Sequence, residues 1–196
     1  MAERNKLNSV LTRDPRGKPM IRDARIIWRN FAGAEKDYNP AGKRNVNLVL
    51  TEEMAEELTR VDGFNVKRKV ARNPDEDDLL VLELKVNYSE KTRDPRLILI
   101  NSGGRTQLDK DTVASLDFVR LVRVDLVLNP YPWTMNEGRP NETSGVAAYL
   151  EQGYFTIEEN EFEAEYNQIP DAGGRRTDTE YDEPDQSRGY DGDSPF

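Results

Sequence analysis

Four clusters of cations, each beside polar or aromatic residues, are the parts of this chain best suited to chemistry. Arg25, Arg29 and Phe31 share one face of an alternating segment. Lys43, Arg44 and Asn45 follow a Gly/Pro-containing loop that carries Tyr38. Lys67, Arg68, Lys69 and Arg72 form a third cluster, and Lys91, Arg93 and Arg96 a fourth. Arg105 follows a Gly-Gly turn that would allow close backbone approach, and Pro130 and Pro132 rigidly present Tyr131 and Trp133. An unpaired nucleic-acid strand needs cations along a groove for its phosphates and aromatic faces for its bases. Cations on the solvent face of a strand also serve solubility alone, so no single residue decides; the coincidence of faces does. Phe31 and Tyr38 read as stacking residues. Trp28 shares the face of Ala24 and Ile26 and reads as core, as does Tyr88. Tyr131 and Trp133 either cap the fold or grip a base.

Catalytic chemistry is poorly supplied. The chain has no His and no Cys, which removes thiol nucleophiles, His-dependent triads and Cys/His metal sites. Gly33 and Gly42-Lys43 are too far apart for a phosphate loop, and Arg44 stands where a Mg²⁺-binding hydroxyl would be needed. Asp75-Glu76-Asp77-Asp78 lacks the alternating oxygen ligands of a calcium loop and reads as a solvated turn. The expectation is a non-enzyme without metal or cofactor. The absence of disulfides fits a reducing cytoplasm. No apolar run is long enough to span a membrane, and the N-terminal residues lack a signal-peptide pattern.

Charge is distributed unevenly. The net charge is −9. Residues 151–196 hold 14 acids against three bases, and residues 1–150 hold 25 bases against 23 acids. A near-neutral body therefore carries an acidic end, which suits a body that meets an anion and a tail that imitates one. Residues 161–196 lack the apolar content to fold and read as a disordered tail. Asp191, Asp193, Pro195 and Phe196 close it, an aromatic after acids, in the manner of a peptide offered to a basic-rimmed pocket.

The elements that would position these residues are mostly strands. Residues 1–19 read as a flexible arm. Strands are expected over 22–31, 43–50, 64–70, 79–88, 96–101, 118–129 and 146–157, the last bulged near Gln152-Gly153. One clear helix follows Thr51, a natural N-cap with Glu52 and Glu53 behind it, and stops at Asp62-Gly63. One or two helical turns fit 109–116. A small OB-fold-like barrel over residues 20–160 would leave no open edges and would place cations on one face of three consecutive strands.

At this point the chain resembles a known group. Ile26-Ile27-Trp28-Arg29-Asn30-Phe31, the Tyr38-Asn39 loop with Gly42-Lys43-Arg44, the Ser144-Gly145-Val146 strand start and the acidic Phe-ended tail look like the OB-fold single-stranded DNA-binding proteins of tailed bacteriophages. The resemblance implies a protein of the host cytoplasm that coats and protects single-stranded DNA during replication, recombination or repair. It implies recruitment of polymerase, helicase, primase or nuclease through Asp191, Asp193, Pro195 and Phe196, although Ser194 stands where bacterial tips carry isoleucine. It further implies that the tail can cover the basic groove when DNA is absent. The alternative reading is a phage structural or assembly protein with a β-barrel body. Homo-oligomerisation and the choice between DNA and RNA stay open.

Overall fold

Val46, Leu48 and Leu50 share one face of a strand at the centre of the structure, and all three are buried, as is Val49 between the last two. The computed structural model describes residues 7–159 except 38, 72, 74–76, 90 and 91. Within them, ten strands form one mixed sheet. They are β1 (Val10–Arg13), β2 (Pro19–Arg22), β3 (Arg25–Asn30), β4 (Arg44–Leu50), β5 (Lys67–Lys69), β6 (Leu79–Val86), β7 (Arg96–Asn101), β8 (Gly104–Leu108), β9 (Leu121–Met135) and β10 (Thr143–Ile157). Helix α1 (Glu52–Asp62) joins β4 to β5, and a 3-10 turn, Val113–Asp117, precedes β9. The pairing order is β1-β2-β9-β10-β6-β4-β3; β5 adds to β6, β7 to β10, and β8 to β7. No described helix is long and apolar enough to cross a membrane.

The mostly β fold with one main helix is as expected. Thr51 caps α1 by accepting from the Met54 N–H, and Gly63 ends it at φ 72°, where a left-handed residue is needed. The sheet, however, does not close into a barrel by strand pairing. Its path runs from the β1–β2 hairpin at one end to β3 at the other. β2 and β3 are consecutive in the chain and separated only by Asp23-Ala24. The Ala24 N–H donates to the Val124 carbonyl at 2.7 Å. Chain continuity through this bend spans the gap that hydrogen bonds would span in a closed barrel. Leu48, Leu58, Phe64, Leu84, Leu126, Leu128 and Phe155 are among the buried residues beneath the sheet.

Register shifts explain most departures from the expected pattern. In β3, Ile27 pairs with Asn47 but Asn30 pairs with Asn45, so one extra residue is inserted. Trp28 takes φ 48° there and its side chain is 54 % exposed. The expectation that Trp28 is core is therefore corrected. Phe31 is corrected in the opposite sense. Past the insertion it turns inward, is fully buried, and meets Phe155 edge-on at 5.7 Å between ring centroids. It cannot stack on a base. Asp117 accepts from the Phe31 and Ala32 N–H groups at 2.9 and 2.8 Å, fixing the turn.

Two further expectations change. Residues 10–19, expected within a flexible arm that ends at residue 19, instead form most of the β1–β2 hairpin, which docks on β9 through Met20–Val127 and Ile21–Leu126. Arg13 ties this hairpin to α1 by ion pairs to Asp62 at 2.9 Å and Glu57 at 3.1 Å. Hydrogen bonding to Asp62 raises the Arg13 pKa well above its ordinary value. β9 is also longer than expected and runs straight through Pro130 and Pro132, which pair with Ala148 and Val146. Successive residues of a strand send their N–H groups to opposite edges and residues two apart to the same edge, so the two missing donors fall together on the edge away from β10. That edge has no strand partner among the described residues at these positions. The expected β10 bulge is present one residue early, between Leu150 and Gln152.

Phe31→Ala is expected to lower unfolding stability by about 3–5 kcal/mol, the usual range for emptying a buried aromatic site. Thr51→Ala should lose about 1 kcal/mol of capping. Urea denaturation measures both.

Candidate nucleic-acid interface

Four strands set the geometry of the site. Register pairs Asn45 of β4 with Lys85 of β6, Lys85 with Tyr149 of β10, and Tyr149 with Asn129 of β9. Paired residues share a face, so these four form one row across the sheet on the side opposite the core. Ala148 and Leu150, which flank Tyr149, point into the core. Tyr131 continues the row's face two residues along β9. Its ring meets Tyr149 edge-on at 5.7 Å, and the Lys85 ammonium lies 5.8 Å from the Tyr149 ring centre. Trp133 lies further along the same face, across Gly145. A Cβ on Gly145 would stand 2.9 Å from the indole, so the glycine permits this close approach.

The tyrosines open into a groove of about 630 Å³. Its cations are Arg16 and Lys18, from the turn between β1 and β2, and Arg93 and Arg96, from the segment leading into β7. Tyr131, Tyr149, Asn129 and Gln152 contribute aromatic and polar lining, with Asn87 and Thr92. Glu151, the extra residue of the β10 bulge, sits among the cations. It pairs with Arg16 at 2.8 Å and with Lys18. The groove thus combines four cations with two carboxylates, Glu151 and Asp94, and two aromatic rings. Arg16 is exposed whereas Lys18 and Glu151 are partly buried; a polyanion entering the groove can take over the carboxylate's partners.

The structure separates the sequence-predicted residues into several places. Arg93, Arg96 and Tyr131 line the groove, and Asn45 and Trp133 lie on its face of the sheet. Asn45 is engaged with Asn39 at 3.1 Å. Lys43 is exposed, one residue before β4. Arg44 instead braces the fold: it donates to the carbonyls of Phe31 and Lys110 and lies over the Tyr88 ring at 5.4 Å. Lys67, Arg68 and Lys69 are exposed on β5, where Arg68 faces Glu52 and Asp78. β5 pairs the far end of β6, at residues 79–81, whereas Lys85 lies near the groove. Arg105 is exposed on β8, beyond β7 at another edge. Arg25 and Arg29 line a different cleft, between β3 and β9. Tyr38, Arg72 and Lys91 lie outside the described residues, as do Asp191, Asp193, Pro195 and Phe196.

Four site residues escaped the sequence reading: Arg16, Lys18, Lys85 and Tyr149. The first two were assigned to the arm. Lys85 and Tyr149 were legible from parity, because each sits between two apolar neighbours that face inward. Attention to the apolar face of each strand hid them.

A family model described as "Putative phage ssDNA-binding domain" matches residues 9–192. Among solved structures, the single-stranded DNA-binding protein from bacteriophage Enc34 in complex with ssDNA is 14% identical, covering 81% of this chain and 98% of its own, with a TM-score of 0.49. The single-stranded DNA-binding protein gp2.5 of bacteriophage T7 is 11% identical, covering 76% and 97%, with a TM-score of 0.34. No curated protein matches the sequence.

Behind the interface, the Tyr88 hydroxyl is buried with no hydrogen-bond partner among the described residues. Burial pushes its phenol up to about 12, with Arg44 acting in the opposite direction. The fold favours the neutral phenol, so this contribution to stability is whole below the ordinary tyrosine pKa of about 10. It should be lost as pH rises through about 12. A UV-detected titration should find one tyrosine ionising late, and Tyr88→Phe should abolish that step.

Proposed function

The chain belongs to the phage single-stranded DNA-binding family, and from that premise we propose that it binds single-stranded DNA in the groove lined by Arg16, Lys18, Arg93, Arg96, Tyr131 and Tyr149. One observation carries the assignment. The two tyrosine rings, in contact at 5.7 Å, lie in the same groove as four cations. Phosphates exchange onto the cations while unpaired bases stack on the rings, a chemistry that tolerates any sequence. A duplex keeps its bases stacked inside and has none to offer the tyrosines. Lys85 and Asn45 extend the surface toward β4. Binding is a coating function and requires no bond to break.

Replication, recombination and repair are the processes that expose such strands, and the protein serves them by protecting the strand. Residues 161–196 supply the second half of this reading. Their acids, ending in Asp191, Asp193, Pro195 and Phe196, suit a basic-rimmed apolar pocket on a polymerase, helicase, primase or nuclease.

Salt provides the first test. Four phosphate contacts on a single strand predict a log–log slope of affinity against salt of about −3. Arg96→Ala should weaken binding to oligo-dT and make the slope shallower by about 0.7. Tyr149→Ala should lower affinity by at least about fivefold, with the slope unchanged, because stacking releases no counterions. Fluorescence anisotropy on a labelled oligo-dT measures each quantity. A Tyr149→Ala protein that is folded and binds as the unaltered chain does would overturn the assignment. For the second half, deleting residues 161–196 should abolish co-purification with replication proteins of infected cells and leave single-strand binding in place.

A further inference from the structure

The cleft between β3 and β9 is not part of the groove described above. Its volume is about 320 Å³, and its lining includes Arg25, Arg29, Arg120 and Arg123 above an apolar floor of Ala24, Ile26, Leu121 and Val124. It lies where the pairing path of the sheet fails to close, so neighbouring strands leave it open. Two of its guanidiniums have no carboxylate partner among the described residues. Arg25 is exposed, and Arg29 donates to the Val119 carbonyl at 2.9 Å. The other two hold carboxylates: Arg120 pairs with the exposed Glu158, a solvated and replaceable partner, and Arg123 with the partly buried Asp125, which also accepts from the Asp23 N–H.

An aromatic residue stands beside it. Trp28 immediately precedes Arg29, and the inserted residue of β3 turns it out of the core at φ 48°. A bulky side chain at positive φ is strained, and such strain persists only where the surroundings impose it. Phe118, next to the Arg29 acceptor Val119, is 85 % exposed. Guanidiniums without anions, an apolar floor and an exposed indole repeat, in a second place, what an unpaired strand requires.

We propose that this cleft is a second contact for single-stranded DNA, with Arg25 and Arg29 meeting phosphates and Trp28 stacking on a base. The inference rests on the reading that the protein binds single strands. Both contacts lie on β9, at Val122 and at Tyr131. Nine residues of strand separate them by about 30 Å. A short oligonucleotide can therefore fill one contact, and a long one can span both.

The test compares oligo-dT of about six and about thirty nucleotides on three proteins: unaltered, Trp28→Ala/Arg25→Ala, and Tyr149→Ala. The Trp28/Arg25 variant should lose about tenfold in affinity for the long strand. It should keep its affinity for the short one, which the tyrosine groove holds. Tyr149→Ala should weaken both. Unchanged affinity at both lengths in the Trp28/Arg25 variant overturns the second contact while leaving the groove standing. Equal loss at both lengths also overturns it, because the cleft would then belong to a single site. If the variant binds DNA normally but loses a synthetic peptide of residues 160–196 that the unaltered protein binds, the cleft belongs to an acidic peptide. If the unaltered protein binds neither oligonucleotide, the single-strand reading falls and this inference falls with it. Both substituted side chains are exposed, so the variant keeps the core intact.

Discussion

Strand β9 pairs with β10 almost from end to end, from Leu121–Ile157 to Met135–Thr143. This ladder decides where the other site residues stand. β10 carries β6 and β7 in parallel on its far side, which brings Lys85 and the Arg93–Arg96 segment alongside. β9 receives the β1–β2 hairpin, which brings Arg16 and Lys18. The bulge at Glu151 absorbs one residue and aims its carboxylate among the cations. Without that bulge, Tyr149 and Phe155 would keep the same phase along β10. With it, Tyr149 faces the groove and Phe155 is fully buried.

Local chemistry was the most legible part of the sequence. The helix could be read from Thr51, Glu52, Glu53 and Gly63 because caps and dipole preferences act within a few residues. The β4 and β6 strands could be read because Val46, Leu48 and Leu50, and Leu80, Leu82, Leu84 and Val86, recur at every second position without an inserted residue. The failures lie at inserted residues. A single extra residue reverses every later side chain, so Trp28 and Phe31 exchanged their expected places. Nothing in Ile27-Trp28-Arg29-Asn30 marks the insertion, which depends on the partner strand. The hairpin at residues 10–22 was hidden for a related reason: its order comes from β9 and from the Arg13 pairs to α1, contacts with residues far along the chain.

The cations show a similar division. Sequence clustering grouped them by proximity along the chain, whereas the fold sorts them by strand and edge. Lys67, Arg68 and Lys69 were the densest run, yet they sit on a short strand at the far end of β6. Arg16 and Lys18 come from a turn, and Arg93 and Arg96 from a segment distant in sequence. Their convergence with Tyr131 and Tyr149 is a property of the fold. Glu151 keeps two of these cations compensated while the groove is empty. In the proposed binding mode, exchange of one carboxylate for a phosphate would preserve charge balance, and the rings would supply the part that salt does not screen.

The central claim is the location of the bound strand, and photo-crosslinking addresses it most directly. A single-stranded oligonucleotide carrying halogenated uracils would be irradiated in complex with the intact chain, and the modified peptides would be read by mass spectrometry. The account predicts crosslinks at Tyr131 and Tyr149. Crosslinks confined to the β5 face around Lys67–Lys69, or to β8 around Arg105, would contradict it.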